Sequence, residues 1–398
     1  MKDRIILYDN KKECCGCGVC EAVCPKKAIK MVEDEYGNIY PKIDNEKCIR
    51  CGLCKKKCNY KIKEEKNELQ ESYVAVTQDK ENLKNSASGG IFFSIAKRFI
   101  NSSGIVFGCN MEMQNGNINI SHIKIEDESE LYKIQGSKYV QSSLKNCFLE
   151  VRNEINKGKK VLFSGTPCQI SALYSFLAKD NISKLYTIDI ICHGVPNQKI
   201  FKEYIRYIEK KEKIKVNNYI FRDKKRGWNT CGKIEFYNKN NVKKEKYFIA
   251  QLSSYYKLFL DGIIYRENCY CCPFASEKRV SNLTIGDYWG IQEEHPELLI
   301  ENGGNIDKKL GVSFVNINDF KGKELLEKYG DEISKYSTTY QKAAKHNKQL
   351  LTPVTEKEYR KQIMEQFRIK GYKGVEIAYK KYVGIKFPIY LLWNKLFK

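Results

Sequence analysis

The chain has 398 residues, 42% apolar and 12% aromatic, with 17 cysteines, and its 70 Lys/Arg against 48 Asp/Glu give a formal charge of +22. That composition suits two or three folded domains and excludes a disordered chain. No run of about 18 apolar residues occurs, so no helix is expected to span a membrane. The segment Met1–Asn10 is too charged for a secretory leader, which assigns the cysteines to metal or redox chemistry in a reducing cytoplasm and not to disulfides. The charge excess is lysine spread along the whole chain, without a finger or RNA-binding motif, so no nucleic-acid partner is expected.

The first element is a repeat. Cys14, Cys17, Cys20 and Cys24 read C-x2-C-x2-C-x3-C, and Cys48, Cys51, Cys54 and Cys58 repeat that spacing 34 residues later. This is the pattern of a two-cluster bacterial ferredoxin, in which the fourth cysteine of each run ligates the other cluster. The expected sets are Cys14, Cys17, Cys20 and Cys58 for one [4Fe–4S] cluster, and Cys48, Cys51, Cys54 and Cys24 for the other. A zinc ribbon would need two C-x2-C pairs and would leave the remaining cysteines unexplained. Pro25 follows Cys24, and Glu35–Asn38 reads as a turn between short strands. The second run ends Cys58-Asn59, without the usual proline, and Cys15 reads as a bystander beside a ligand. Residues 1–60 carry 13 Lys/Arg and 9 Asp/Glu; two clusters with their thiolates would bring this α+β ferredoxin-like module (repeats about 5–34 and 39–68) near neutrality.

Residues 61–72 are charged and read as a linker. From 73 to 340 strand and helix signals alternate, predicting a larger mixed-sheet α/β domain. Strands are expected at Tyr73–Thr77, Ile105–Cys109, Lys160–Ser164, Leu185–Cys192, near Tyr219–Arg222, at Leu283–Gly286 and at Val312–Ile317. Hairpin material is expected around Lys233–Phe248. Helices are expected from Ser88-Gly89-Gly90 through Phe99, over Gln169–Ala178 and over Asn197–Lys211. Residues 341–398 read as a basic helical tail; from Lys335 onward 15 Lys/Arg face 4 Asp/Glu.

Three strand-to-helix junctions carry candidate chemistry. Ser88-Gly89-Gly90 would let backbone N–H groups approach a phosphate, although a plain helix cap explains it equally well. Gly165-Thr166-Pro167-Cys168 and Cys192-His193-Gly194-Val195-Pro196 each set a cysteine at the C-terminal edge of a strand, where open α/β sheets bind ligands. Cys269-x2-Cys272, ambiguous by itself, would complete a third four-thiolate site with Cys168 and Cys192. No G-x-G-x-x-G and no Walker A loop is present, so dinucleotide-Rossmann and P-loop readings lack support.

In their order, Ser88-Gly89-Gly90, Gly136-Ser137-Lys138-Tyr139-Val140-Gln141, Gly165-Thr166-Pro167-Cys168-Gln169, Cys192-His193-Gly194-Val195-Pro196, Phe221-Arg222-Asp223-Lys224 with Gly227-Trp228, Cys269-x2-Cys272-Pro273-Phe274 and Gly286-Asp287-Tyr288-Trp289-Gly290 resemble the coenzyme F-420 hydrogenase/dehydrogenase beta-subunit family. With the cysteine repeat, the resemblance covers residues 10–295 or so. It implies an FAD in the large domain and a third [4Fe–4S] cluster beside it, carried onto Cys168, Cys192, Cys269 and Cys272. It also implies that Ser88, Gly89, Gly90, Gly136, Ser137, Lys138 and Tyr139 line the flavin. Lys138 would meet the flavin phosphate or the N1/O2 edge of the ring, and Asp287 would face the site or serve as a structural aspartate.

The function so implied is an iron–sulfur flavoprotein oxidoreductase, passing electrons between ferredoxin-type clusters and a two-electron small-molecule substrate, with ferredoxin or a redox subunit as partner. No residue is assigned a catalytic role. The alternatives are a non-catalytic electron-transfer subunit of a larger complex and an accessory redox protein of surface-polysaccharide assembly. Cys109, Cys147, Cys231 and Cys271 are expected to be spare thiols, and His122, His295 and His346 to lie at the surface. Phe387–Trp393 with Lys386, Lys395 and Lys398 suits peripheral membrane contact, set against the alternative of a helix docked on the core.

Overall fold

The computed structural model describes residues 5–60, 71–114, 116–178, 180–384 and 386–396. The first 60 residues hold an antiparallel hairpin, β1 (Ile29–Glu33) and β2 (Ile39–Ile43), with one-turn helices Val19–Ala22 and Leu53–Lys56. Each of these helices begins directly after a Gly in the left-handed conformation, at Gly18 and Gly52, so the repeat in cysteine spacing is also a repeat in backbone geometry. Most of the expected linker, residues 61–70, lies outside the described residues; Glu71 and Ser72 already belong to a strand.

The large domain is built on eight strands. In chain order the first are β3 (Glu71–Thr77), β4 (Ile105–Gln114), β5 (Asn117–Ile125), β6 (Val161–Gly165) and β7 (Leu185–Ile190). A separate three-stranded antiparallel sheet follows: β8 (Lys215–Ile220), β9 (Cys231–Tyr237) and β10 (Lys243–Ile249). β11 (Leu283–Asp287), β12 (Ser313–Ile317) and β13 (Ile333–Thr338) complete the large sheet, whose order is β13-β3-β12-β11-β7-β6-β4-β5. The pairs β4/β6, β6/β7 and β7/β11 are parallel and the others antiparallel, so the sheet is mixed. The near-continuous apolar runs of β6 and β7 reflect burial on both faces. The β4–β5 hairpin extends past the expected Cys109 to Gln114 and adds β5, whose alternation slips once at Ser121-His122.

The small sheet packs with the helices Gln198–Glu212, Ser254–Leu260 and Tyr359–Val383 around an aromatic core that includes Phe201, Tyr204, Tyr219, Phe221, Tyr255 and Tyr372. The expected tail is thus partly core: Ile363, Phe367, Val375 and Tyr379 of Tyr359–Val383 are buried. The last helix, Lys386–Leu396, leaves Ile389, Leu391 and Leu392 about half exposed. Among the described residues no helix is long and apolar enough to cross a membrane.

The N-terminal module docks on the large domain through a polar seam. Asn197 donates to Tyr36 O (3.0 Å) and Asn38 Oδ1 (3.1 Å). Lys57 Nζ donates to Ser175 O and Ser175 Oγ to Lys57 O, both at 2.8 Å. Asn59 Nδ2 donates to Cys168 O (3.0 Å), and Gln141 Nε2 to Cys15 O (3.0 Å).

Candidate functional site: three cysteine groups and a shared cavity

The parallel strands β6, β7 and β11 end side by side, with Gly165 opposite Asp189 and Ile190 opposite Ile285. Beyond these ends lies a cavity of about 320 Å³, a size typical of small-molecule and cofactor sites. Its wall gathers what the sequence scatters. Ser88, Gly90, Gly136, Ser137, Lys138, Tyr139 and Asp287 all line it, and so do Cys168, Cys192, Cys269 and Cys272. Gly89 does not; its N–H donates to Ser313 Oγ, and a Cβ there would come within 2.5 Å of Ala75 O, so its smallness serves packing.

The three junctions differ in their caps. The helix Pro167–Leu177 starts with a complete capping box between Thr166 and Gln169, and Asn197 caps the helix Gln198–Glu212. The helix Ile91–Asn101 starts from Gly90 at φ +82° with no side-chain cap, and Gly90 and Ile91 border the cavity. Free N–H groups and the helix dipole make that end attractive to an anion. Lys138 also borders the cavity; its ammonium donates to Gln135 O at 2.7 Å, and desolvation pushes its pKa down to about 8.

Beside Tyr139, Arg222 and the cavity-lining Asp287 form an ion pair at 2.8 Å. Trp228 Nε1 donates to Asp287 Oδ1 at 3.0 Å, and Trp228 stacks on Trp289 with ring centres 4.4 Å apart. Asp287 borders the cavity and also accepts from Arg222 and Trp228. Tyr139 is fixed by stacking on Phe259 at 4.3 Å and by the bond from Tyr255 Oη to its carbonyl, 2.8 Å.

The cysteines fall into three neighbourhoods. Burial and the sulfurs of Cys14 and Cys58 hold the Cys20 thiol up. Burial, Cys24 and Cys51 do the same to Cys54. A small recess is bordered by Cys24, Cys48, Cys51 and Cys54 together. In the large domain, burial and then Cys269, Cys168 and Cys272 hold Cys192 well above the ordinary thiol range, while burial and the nearby Cys168 push Cys272 to about 11. Crowded, desolvated sulfurs of this kind are unfavourable as bare thiolates and become favourable once a cationic centre neutralises them.

Several positions at the cavity and the seam were not visible in the sequence. Cys15, read as a bystander, is 5% exposed and borders the cavity, with its sulfur against Asn59 and its carbonyl held by Gln141. Asn59 occupies the place of the missing proline so that its amide reaches Cys168 O while its oxygen lies 3.7 Å from Cys17 Sγ. Arg266 is fully buried between the two domains. The histidines expected at the surface are not there. His122 is buried, bonded through Nε2 to Ser164 O (2.9 Å) and through Nδ1 to Ser142 Oγ (3.0 Å), and it stacks on Phe163. His295 is buried against Thr338, and His346 is half-buried against Glu294. Of the thiols expected to be spare, Cys147 and Cys231 are buried, while Cys271 is exposed and Cys109 borders the cavity.

Comparison with known proteins defines the class first. Residues 13–62 match the 4Fe-4S dicluster domain, so the cysteine repeat belongs to an iron–sulfur protein and not to a zinc ribbon. Over 61 residues (15% of the chain) it is 44% identical to a component of the Na(+)-translocating ferredoxin:NAD(+) oxidoreductase complex of Acetobacterium woodii, spanning 17% of that protein. Over 53 residues (13% of the chain) it is 42% identical to an uncharacterized ferredoxin of Methanocaldococcus jannaschii, spanning 66% of it. The chain thus spans less than two thirds of either relative. Residues 158–341 match the family model for the C terminus of the coenzyme F420 hydrogenase/dehydrogenase beta subunit. A chain of the F420-reducing [NiFe] hydrogenase complex of Methanosarcina barkeri shares 17% identity at a TM-score of 0.44, covering 80% of this chain and 95% of that one. The protein is therefore an iron–sulfur electron-transfer protein related to hydrogenase and dehydrogenase beta subunits.

Proposed function

We propose that the chain carries electrons from its N-terminal clusters, through a third cluster, to a flavin in the large-domain cavity, where a two-electron substrate is reduced or oxidised. The observation that carries this reading is the common cavity wall shared by Cys168, Cys192, Cys269 and Cys272 with Gly90, Lys138 and Tyr139. Cys48, Cys51, Cys54 and Cys24 would hold the outer cluster, Cys14, Cys17, Cys20 and Cys58 the inner one, and the four large-domain cysteines the third. The order follows from contact. Cys51 is exposed to solvent, while Asn59 touches both Cys15 and Cys17 and donates to Cys168 O.

An FAD bound here would supply the conversion between one-electron and two-electron transfer. The chain's own part is to bind and to orient. The uncapped start of Ile91–Asn101 and Lys138 would meet phosphate oxygens, and Tyr139, locked by Phe259 and Tyr255, would fix one edge of the ring. Arg222, paired with the cavity-lining Asp287, would keep the region beside Tyr139 polar without a net charge. Anaerobic preparation followed by iron and flavin counts tests the assignment. About twelve irons and one flavin are expected, with Cys192→Ser losing about four irons. About eight irons or fewer in the parent chain, or no flavin in folded protein, would refute it.

A second reading concerns the C-terminal helix. Ile389 and Leu392 stand 51% and 61% exposed beside Lys386, which supports contact with an anionic membrane surface. Co-sedimentation with phosphatidylserine vesicles that persists without residues 386–398 would reject it.

A further inference from the structure

Arg266 is the most completely buried cation of the molecule's inner seam, at 0% exposure, and the bonds it makes are all to neutral groups. Nη1 donates to Gln141 Oε1 (3.1 Å), Nε to Asn268 Oδ1 (3.3 Å), and Nη2 to Cys14 O (3.3 Å) and Ile39 O (3.0 Å). The guanidinium also lies over the Tyr40 ring, 5.0 Å from its centre. A guanidinium without a carboxylate in such a place is costly unless negative charge elsewhere compensates it.

Its position identifies that charge. On one side it touches the carbonyl of Cys14, and Gly16 (φ +66°) is so close that a Cβ there would lie 2.9 Å from Nη2. On the other side its own carbonyl accepts from Cys269 N at 3.1 Å. Gln141, which takes a bond from Arg266, also holds the carbonyl of Cys15.

We infer that Arg266 is a positioning residue shared by two redox centres: one fixed positive charge that neutralises both the inner N-terminal cluster and the large-domain cluster, and raises both reduction potentials together. This rests on the cluster assignment proposed above. One electron leaves the inner centre and arrives at the third, no proton is exchanged, and the guanidinium stays charged throughout. A cation set between the Cys14 and Cys269 segments stabilises the reduced state of each centre and so keeps the transfer between them nearly level.

The test is an EPR-monitored redox titration of the full chain in Arg266→Met, Arg266→Lys and Gln141→Glu, the last setting a carboxylate against the guanidinium. In Arg266→Met and Gln141→Glu the one-electron reduction equilibrium of both inner centres should fall about tenfold, which is ~59 mV each, while the outer centre stays unchanged. Arg266→Lys should retain most of the parent potentials. Iron lost from Arg266→Met but kept in Arg266→Lys would equally support a charge role, and Gln141→Glu then supplies the potentials. Unchanged inner potentials, equal shifts at all three centres, or equal iron loss in Met and Lys variants would overturn it. A parent chain with about eight irons or fewer lacks the third cluster and sinks the cluster assignment instead, so the two failures are distinguishable.

Discussion

Replacing Arg279 by methionine isolates a single buried charge. Arg279 Nη2 and Asp189 Oδ1 are 3.0 Å apart, with side chains 1% and 0% exposed. The guanidinium also donates to Phe274 O (3.1 Å), Ile190 O (3.3 Å) and Thr284 Oγ1 (3.3 Å). It therefore ties the loop just after Cys272 to the end of β7, two residues before Cys192, and to β11. Burial pushes the Asp189 carboxyl up even with the guanidinium beside it, so the environment has no spare capacity for a lone carboxylate. Breaking such a pair from one side costs about 3–5 kcal/mol. At roughly 2–4 °C per kcal/mol for a domain of this size, the apparent midpoint should drop by about 6–20 °C. The assay is anaerobic thermal unfolding followed by circular dichroism, with iron counted on the same samples. Asp189→Leu combined with Arg279→Met removes both charges and should regain much of the loss, since well-packed apolar replacements of buried pairs are often near neutral. A midpoint within 2 °C or so of the parent for Arg279→Met, or a double variant as unstable as the sum of the singles, would refute the argument.

Three further outcomes follow from the same geometry. The His122 imidazole is held down to about 4 by burial; the unfolded chain takes up that proton near 6.5 and the native one does not, so stability falls as pH drops from about 6.5 to 4, by up to about 3 kcal/mol. His122→Gln should flatten that slope in denaturant titrations at pH 7 and pH 5, and an unchanged slope would remove His122 from the account. Lys138→Met should weaken FAD binding about ten- to a hundredfold, the equivalent of one charge-assisted hydrogen bond, as read by flavin fluorescence quenching, with Lys138→Arg partly retaining it; equal affinities would exclude the phosphate contact. Lys26, Lys55 and Lys56 are exposed and without a carboxylate partner among the described residues, beside the recess of Cys24, Cys48, Cys51 and Cys54. Reversing Lys55 and Lys56 to Glu should slow reduction by an acidic two-cluster ferredoxin and lessen its dependence on salt, while reduction by dithionite stays as in the parent; equal slowing with both reductants would contradict an entry port there.

The sequence announced whatever depends on short-range pattern. The cysteine spacing, the apolar runs of β6 and β7, and the glycine before Ile91 are local signals, and the strands and helices expected from them lie within a few residues of those observed. β5 escaped because its alternation is interrupted, and the depth of the last helices escaped because lysines on one face mask a buried stripe on the other. The seam between domains was illegible for a different reason. Asn59 meets Cys168 across 109 residues, Gln141 meets Cys15 across 126, and Arg266 meets Cys14 across 252, and no periodicity encodes such pairings. His122 misled in the same way: a lone histidine among Ile, Ser and Lys reads as solvated until Ser142 and Ser164 are seen to satisfy both ring nitrogens.

The stretch Cys15-Gly16-Cys17 is itself part of the cavity wall. The relay at the front of this polypeptide is consequently not an interchangeable cassette. Grafting a generic small ferredoxin in its stead would import a side chain wherever Gly16 is absent, collide with Ile39 and Arg266, and leave the chamber behind it open on one flank. Engineers wishing to re-plumb the input of such a protein should alter the solvent-facing lysines and leave the inward lip alone.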